Sequence, residues 1–296
     1  MKVRHFVIVL LLVSNITLSS GFLDVFVAAA SVVYTYFERD DLLPFDSKRL
    51  EEDLRENFFG QHIASNVIRR AVSSFMTDSN PNKPLALSFH GTSGTGKNHA
   101  AKIIARNVYE KGEDSKHVHT FISEHHFPHK QKSDLYSMHP QLIDAIKPFL
   151  DYNARVDGVS FRKAIFVFLS NAGGNVITGV ALDFWREGNI RENLWMDSKE
   201  LEIKISQNIF NDENSGFLHS SIIDEHLVDH YIPFLPLELK HVRQCVMVEM
   251  VHLNVTQDSD LADEVARDVP YFPKEERIYA VKGCKSVRQR LAQHID

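Results

Sequence analysis

Only two of the 296 residues are cysteine, Cys245 and Cys284, too few for a disulfide scaffold to replace a hydrophobic core. Positive charge is not in excess: 33 Lys and Arg stand against 39 Asp and Glu, a formal net charge of −6, so nothing points to a nucleic-acid partner. There is no internal repeat and no low-complexity tract, which excludes solenoid and disordered classes. No Gly-x-Ser-x-Gly elbow occurs, so a serine hydrolase is not supported. Long apolar runs are missing too. The first, Phe6 to Val13, is too short to span a bilayer, and the second, Gly21 to Phe37, lies at the lower limit.

What is present is an ordinary globular composition, 44% hydrophobic and 24% charged, long enough for a large domain and a smaller one. The N-terminus has the order of a secretory leader. Lys2 and Arg4 precede the apolar run, and Ser19, Ser20 and Gly21 follow it. This assigns residues 1–20 to a signal peptide and 21–45 to an apolar, membrane-associating segment with a linker. The second segment carries Tyr34, Tyr36 and Phe37 at its end, where aromatic rings favour a membrane boundary. After the leader comes one sequon, Asn254-Val255-Thr256. An even cysteine count in a secreted chain permits one bridge and equally permits a buried free pair.

The body alternates helices and strands. Apolar residues at three- and four-residue steps predict a helix over Gln61–Met76, and further helices are expected over Ser47–Phe59, Lys97–Glu110 and Leu142–Tyr152. Short apolar runs bounded by turn residues predict strands over Pro84–Phe89, Val118–Ile122 and Lys163–Leu169. That alternation implies a parallel α/β sheet over 46–236, and the helical pattern from Leu237 implies a small helical domain over 237–296.

Between the first of these strands and the next helix lies Gly91-Thr92-Ser93-Gly94-Thr95-Gly96-Lys97-Asn98. Strand, glycine-rich loop, Lys and helix in that order are what phosphate binding needs. Glycines let backbone N–H groups point inward, the helix N-terminus adds unsatisfied donors, and Lys97 brings charge to the β and γ phosphates. Asn98 stands where a Ser or Thr hydroxyl usually ligates Mg²⁺, and its amide oxygen can serve the same hard cation. His117, His119, His125, His126 and His129 cluster without a cysteine and read as surface and strand-edge residues, not as a zinc site.

From about Leu50 to Val287 the chain resembles the torsins, a lumenal branch of the AAA+ ATPases. The resemblance is carried by Phe59-Gly60-Gln61-His62, the Gly-Thr-Gly-Lys-Asn loop, Phe127-Pro128-His129, Ile143 to Tyr152, Phe168 to Gly173, and Gly283-Cys284-Lys285. It implies a P-loop AAA+ sheet domain with a helical lid. It also implies ATP and Mg²⁺ as cofactors, Asn171 as the first sensor, Lys285 as the second, and Cys245 with Cys284 as a redox pair. The place it implies is the lumen of the endoplasmic reticulum and the nuclear envelope, in peripheral contact with the membrane. The implied partners are other torsin subunits and a membrane cofactor that supplies an arginine finger from its lumenal domain.

One part of the pattern is missing. An ATP-hydrolysing site of this kind needs an apolar strand ending in Asp-Glu. The family places it before a Met-His-Pro turn, but Met138-His139-Pro140 is preceded by Asp134-Leu135-Tyr136-Ser137. Ile222-Ile223-Asp224-Glu225 comes too late in the chain and has only two apolar residues; Ile165 to Leu169 ends in Ser170-Asn171. The sequence therefore identifies no catalytic acid, and it leaves two strands of the sheet without the neighbour they should share. ATP-driven remodelling and a nucleotide-binding subunit that does not hydrolyse are both open.

Overall fold

The computed structural model describes residues 7–13, 41–122, 144, 146–194, 198–211 and 219–295. The apolar segment at 21–37, the Phe127-Pro128-His129 and Met138-His139-Pro140 pieces, and His125, His126 and His129 lie outside the described residues.

The chain begins with β1 (Val7–Val13), then two helices, α1 (Ser47–Asn57) and α2 (His62–Thr77), and strand β2 (Leu85–His90). Helix α3 (Lys97–Val108) and strand β3 (Val118–Ile122) follow, then the single turn α4 (Lys147–Leu150) and strand β4 (Ala164–Ser170). Helices α5 (Gly174–Arg186), α6 (Ser198–Asn211) and α7 (Ser221–Asp224) lead to β5 (His230–Pro233). The strands form one parallel sheet in the order β3-β1-β4-β2-β5.

Why β2 and β4 lie at its centre is visible in their composition. Every residue of Leu85–His90 and of Ala164–Ser170 is buried, as expected for parallel strands covered on both faces. Side chains alternate across a strand. Leu85, Leu87 and Phe89 join Ile165, Val167 and Leu169 against α1, α2 and α3. Ala86, Phe166 and Phe168 meet Ile177, Ala181, Leu201, Ile205 and Ile209 of α5 and α6 on the other face. The result is three layers, with the sheet between two groups of helices. The far end of β2 is pinned by Asp229, which accepts from the Ala86 N–H at 2.8 Å and pairs with Lys83 at 2.6 Å.

From Leu237 the chain builds a third core. Helix α8 (Leu239–His252), helix α9 (Ser259–Asp268), the two-residue strands β6 (Tyr271–Phe272) and β7 (Tyr279–Ala280), and helix α10 (Val287–Leu291) close it. Val242, Val246, Met250, Val265, Val287 and Leu291 are buried there. Asp258 caps α9 by accepting from the N–H groups of Asp260 and Leu261. Cys245 of α8 and Cys284 are joined in a disulfide across this core, Cα to Cα 6.1 Å.

Two expectations change. The helix expected over Leu142–Tyr152 narrows, among the described residues, to Asp144 and the turn Lys147–Leu150, and Asp151 is already extended at ψ 174°. The two strands left without a shared neighbour have one: Val7–Val13, read from sequence as part of the leader, pairs with both. The Ile222–Glu225 stretch is the capped turn α7, with Asp224 and Glu225 exposed and Glu225 paired to Lys147. It does not end a strand, as the sequence reading held.

Phe166 is fully buried in the middle of β4. Phe166→Ala is expected to lower the unfolding free energy by about 3–5 kcal/mol, read as a shifted urea midpoint at unchanged slope.

Candidate functional site

The glycine loop joins the C-terminal end of β2 to the N-terminus of α3, the edge where parallel α/β sheets place their ligands. Gly94 and Gly96 have φ of +81° and +99°, which side chains with a Cβ resist. Space forbids a Cβ as well. On Gly94 it would stand 1.9 Å from the Lys282 carbonyl oxygen, and on Gly96 2.9 Å from the Phe58 ring. The backbone thus turns its N–H groups into a cradle at the start of a helix.

Lys97 is the cationic centre of this cradle. Its Nζ donates to the carbonyls of Gly91 at 2.6 Å and Thr92 at 2.9 Å, and to Asn171 Oδ1 at 2.9 Å. Asn171 follows β4 directly, so the sheet brings together two residues 74 positions apart. Burial lowers the Lys97 ammonium to about 8. The side-chain partner it has is an amide, which cannot offset that burial with charge. Asn98, in the first turn of α3, is exposed.

Three buried side chains tie together the segments around the loop, and sequence reasoning gave none of them a role. Gln61 is 1% exposed; its Nε2 donates to Thr95 O at 3.0 Å and Leu235 O at 2.8 Å, while its Oε1 accepts from the Leu235 N–H at 2.8 Å. One amide thus ties α2, the loop and the segment after β5 together. Arg191, buried, donates to Gly60 O at 2.6 Å and Pro236 O at 2.8 Å and pairs with Glu238 at 3.4 Å. It joins the entry to α2 to the start of the small domain. His90 receives or gives a bond at both ring nitrogens: Nε2 to Ser88 Oγ at 2.6 Å and Nδ1 to the Ala172 carbonyl at 3.0 Å. Since a carbonyl only accepts, Nδ1 carries the proton and Ser88 donates to Nε2. This bond fixes the residue after Asn171 to the strand before the loop. The Phe-Gly-Gln-His segment was a visible signal for Gln61, but an isolated Arg191 and His90 had none.

The small domain reaches the loop through Gly283 and Cys284. The Cys284 N–H donates to Gly94 O at 3.2 Å, and a Cβ on Gly283 would stand 2.2 Å from the same oxygen. Lys285, the next residue, is exposed. Beside the loop, a cleft of about 940 Å³ opens between α1, α2 and α8, lined by Phe58, Phe59, Gly60, His62, Lys240 and His241 among others. Asn254 lies away from all of this, exposed, with left-handed backbone at φ +56° just past α8. Among the described residues no group of three or more His, Cys, Asp or Glu is placed to hold a metal, and no helix is long and apolar enough to cross a membrane.

Burial holds three imidazoles of this region neutral. It lowers His62 and His90 to about 4 and His241 to about 3, with Arg191 adding to the effect on His62 and His241. In the unfolded chain each takes up a proton near pH 6.5, so between about pH 6.5 and 4 the unfolded state binds more protons than the folded one. Stability is therefore expected to fall as pH drops through that window, and thermal melts across it check this. Gln61→Leu leaves the Thr95 and Leu235 backbone groups without their partner. It is expected to cost about 1–3 kcal/mol, measured by chemical denaturation.

Comparison with known proteins bears on this geometry. The family model described as Torsin matches residues 32–155, and that described as Torsin-1A, C-terminal domain, matches residues 237–294. Torsin-3A of Mus musculus is 38% identical over 269 residues, 82% of this chain and 69% of the relative. Two solved structures share the fold, the S. cerevisiae Hsp104-ADP complex and the closed state of Hsp104 with ATPγS and FITC casein. Each superposes with a TM-score of 0.53, at 16% and 17% identity, over 84% of this chain and 46% of its own length. The chain spans under half of those structures, and the likeness carries the fold alone. With a P-loop of this form, matches at both ends and 38% identity across most of its length, the chain belongs to the torsin family of AAA+ proteins.

Proposed function

We propose that the chain binds ATP with Mg²⁺ on the Gly91–Asn98 loop as a subunit of a protein- or membrane-remodelling assembly in the lumen of the endoplasmic reticulum and the nuclear envelope. The observation that carries this reading is the meeting of Lys97, Asn171 and the Gly94 tip with the lid segment Lys282–Cys284. A bound phosphate chain would take the place of the Gly91 and Thr92 carbonyls as the partner of Lys97. The torsin likeness would make Asn171 the first sensor at the terminal phosphate and Lys285 the second, from the lid. The cleft beside Phe58 and Phe59 offers room for the base. Thr95 and Asn98 are the loop residues suited to the cation, as a hydroxyl and an amide oxygen.

Family membership supports the partners: further torsin subunits, and a membrane cofactor that brings an arginine finger from its lumenal domain. The apolar N-terminus directs the chain to the lumen, the segment at 21–45 holds it against the membrane, and the exposed Asn254 is the glycosylation site. On this reading the nucleotide-binding body spans 46–236 and the lid 237–296. The Cys245–Cys284 bridge includes the residue whose N–H donates to Gly94 O, so its reduction loosens the lid segment where it meets the loop. Closing a loop of 39 residues, the bridge contributes about 4 kcal/mol on the chain-entropy account.

A second reading is favoured by one observation. Among the described residues the side chain that partners Lys97 is the neutral amide of Asn171, not a carboxylate. A subunit that binds nucleotide and occupies a place in the assembly without hydrolysing it fits this arrangement.

Four measurements decide. Nucleotide binding and phosphate release are followed with and without the cofactor's lumenal domain. Turnover stimulated by the cofactor establishes the ATPase, and binding without turnover in both conditions establishes the silent subunit. Lys97→Met is expected to weaken ATP binding about tenfold to a hundredfold. Because phosphate needs the charged form of Lys97, wild-type affinity is expected to hold below pH 8 and to fall as pH rises through 8. Reduction of the disulfide is expected to change nucleotide affinity in the wild type and to leave a Cys245→Ser, Cys284→Ser double variant unaffected.

A further inference from the structure

The order of the sheet raises a question that nucleotide chemistry does not answer. Strand β3 has one strand partner among the described residues, and it is β1; β4 has β2 on one side and β1 on the other. Residues Ile8 to Leu12 face Val118 to Ile122 in parallel register, and all seven residues Val7 to Val13 face Ala164 to Ser170. The strand between them therefore comes from the far N-terminus, not from the chain that links β3 to β4. Without it, β3 leaves the sheet, and one whole side of β4 exposes N–H and C=O groups in the middle of a domain. Each buried group so orphaned costs about 1–3 kcal/mol.

The composition of the segment suits that place. Val-Ile-Val-Leu-Leu-Leu-Val is a continuous apolar run rich in β-branched residues, the pattern of a parallel strand covered on both faces. It is also the pattern of a leader's apolar centre. The two roles exclude each other at any one time, because a strand in the sheet cannot be in the membrane or removed by a peptidase.

We propose that Val7–Val13 is a structural strand of the nucleotide-binding domain: it is kept on the mature chain and closes the sheet in cis between β3 and β4. A leader that first directs the chain is then withdrawn into the fold. Its last residue, Val13, lies beside Ser170, one residue before Asn171, so the strand ends at the rim of the nucleotide site. It restores the backbone ladder there and brings no acid, since the first carboxylate along the chain is Asp24. The inference rests on strand order alone and stands whether or not the ATP reading holds.

The test uses the full-length chain. In the wild type, amide exchange at Val7–Val13 is expected to be slowed to the level of β2 and β4; exchange at the rate of a free peptide overturns the proposal. Leu10 and Val167 face each other in register, at the spacing of neighbouring strands and within reach of a disulfide. Leu10→Cys with Val167→Cys is expected to cross-link on mild oxidation. Leu10→Cys with Leu87→Cys, which sits one strand further away, is not. Absence of the first cross-link in a folded chain, or equal formation of both, overturns the proposal. So does protein from secreting cells whose measured mass shows residues 1–20 removed while its melting temperature equals that of the full chain. All three readouts are taken without nucleotide, so their failure is distinct from failure of the ATP-binding reading.

Discussion

The hydrogen-bond ladder of β4 is the constraint on which the rest of this structure depends. A strand buried on both faces has no water to satisfy its backbone, so each of its edges must meet another strand. On one edge β2 meets it and carries the glycine loop; on the other stands Val7–Val13. The position of Asn171 beside Lys97 follows from the first of these pairings, because the His90↔Ser170 pair places the two strand ends, and the residues that follow them, side by side. A slip of one residue between β2 and β4 would turn every apolar side chain to the wrong face and separate lysine from amide.

Around that frame, polar side chains do what packing cannot. A glycine loop has little to hold it in shape by itself, and here the segments around it are tied together by an amide, an imidazole and a guanidinium. Gln61 joins the loop to the strand end on its far side, His90 joins it to the segment after Asn171, and Arg191 joins the entry of α2 to the small domain. All three are buried, so each must be matched by fixed partners, and that requirement makes the site rigid before any ligand arrives. The imidazoles pay for it by remaining neutral well below the pH at which histidine usually ionises.

The small domain has its own core, yet it meets the phosphate loop at a backbone-to-backbone contact between Gly94 and Gly283. Glycines on both sides allow that approach, and the disulfide to Cys245 anchors one side of it to α8. Under the proposed function, a phosphate in the cradle and a change in that bridge would act on the same few atoms.

Much of the frame was legible in the chain. Periodicity in Gln61–Met76 and the apolar runs ending at Phe89 and Leu169 marked their helix and strands to within a residue or so, because a helix face and a doubly buried strand each leave a local pattern. The loop, too, was legible, since its glycines answer to local backbone geometry. The quoted segments carried the torsin resemblance that comparison bears out. Gln61, His90 and Arg191 acquired their roles only in three dimensions, because their partners lie up to 174 residues away and a single polar side chain has no period. The same holds for Val7–Val13. By itself an apolar run of seven residues is equally a leader or a strand, and only the open edges of β3 and β4, brought together by the fold, decide which backbone it pairs with.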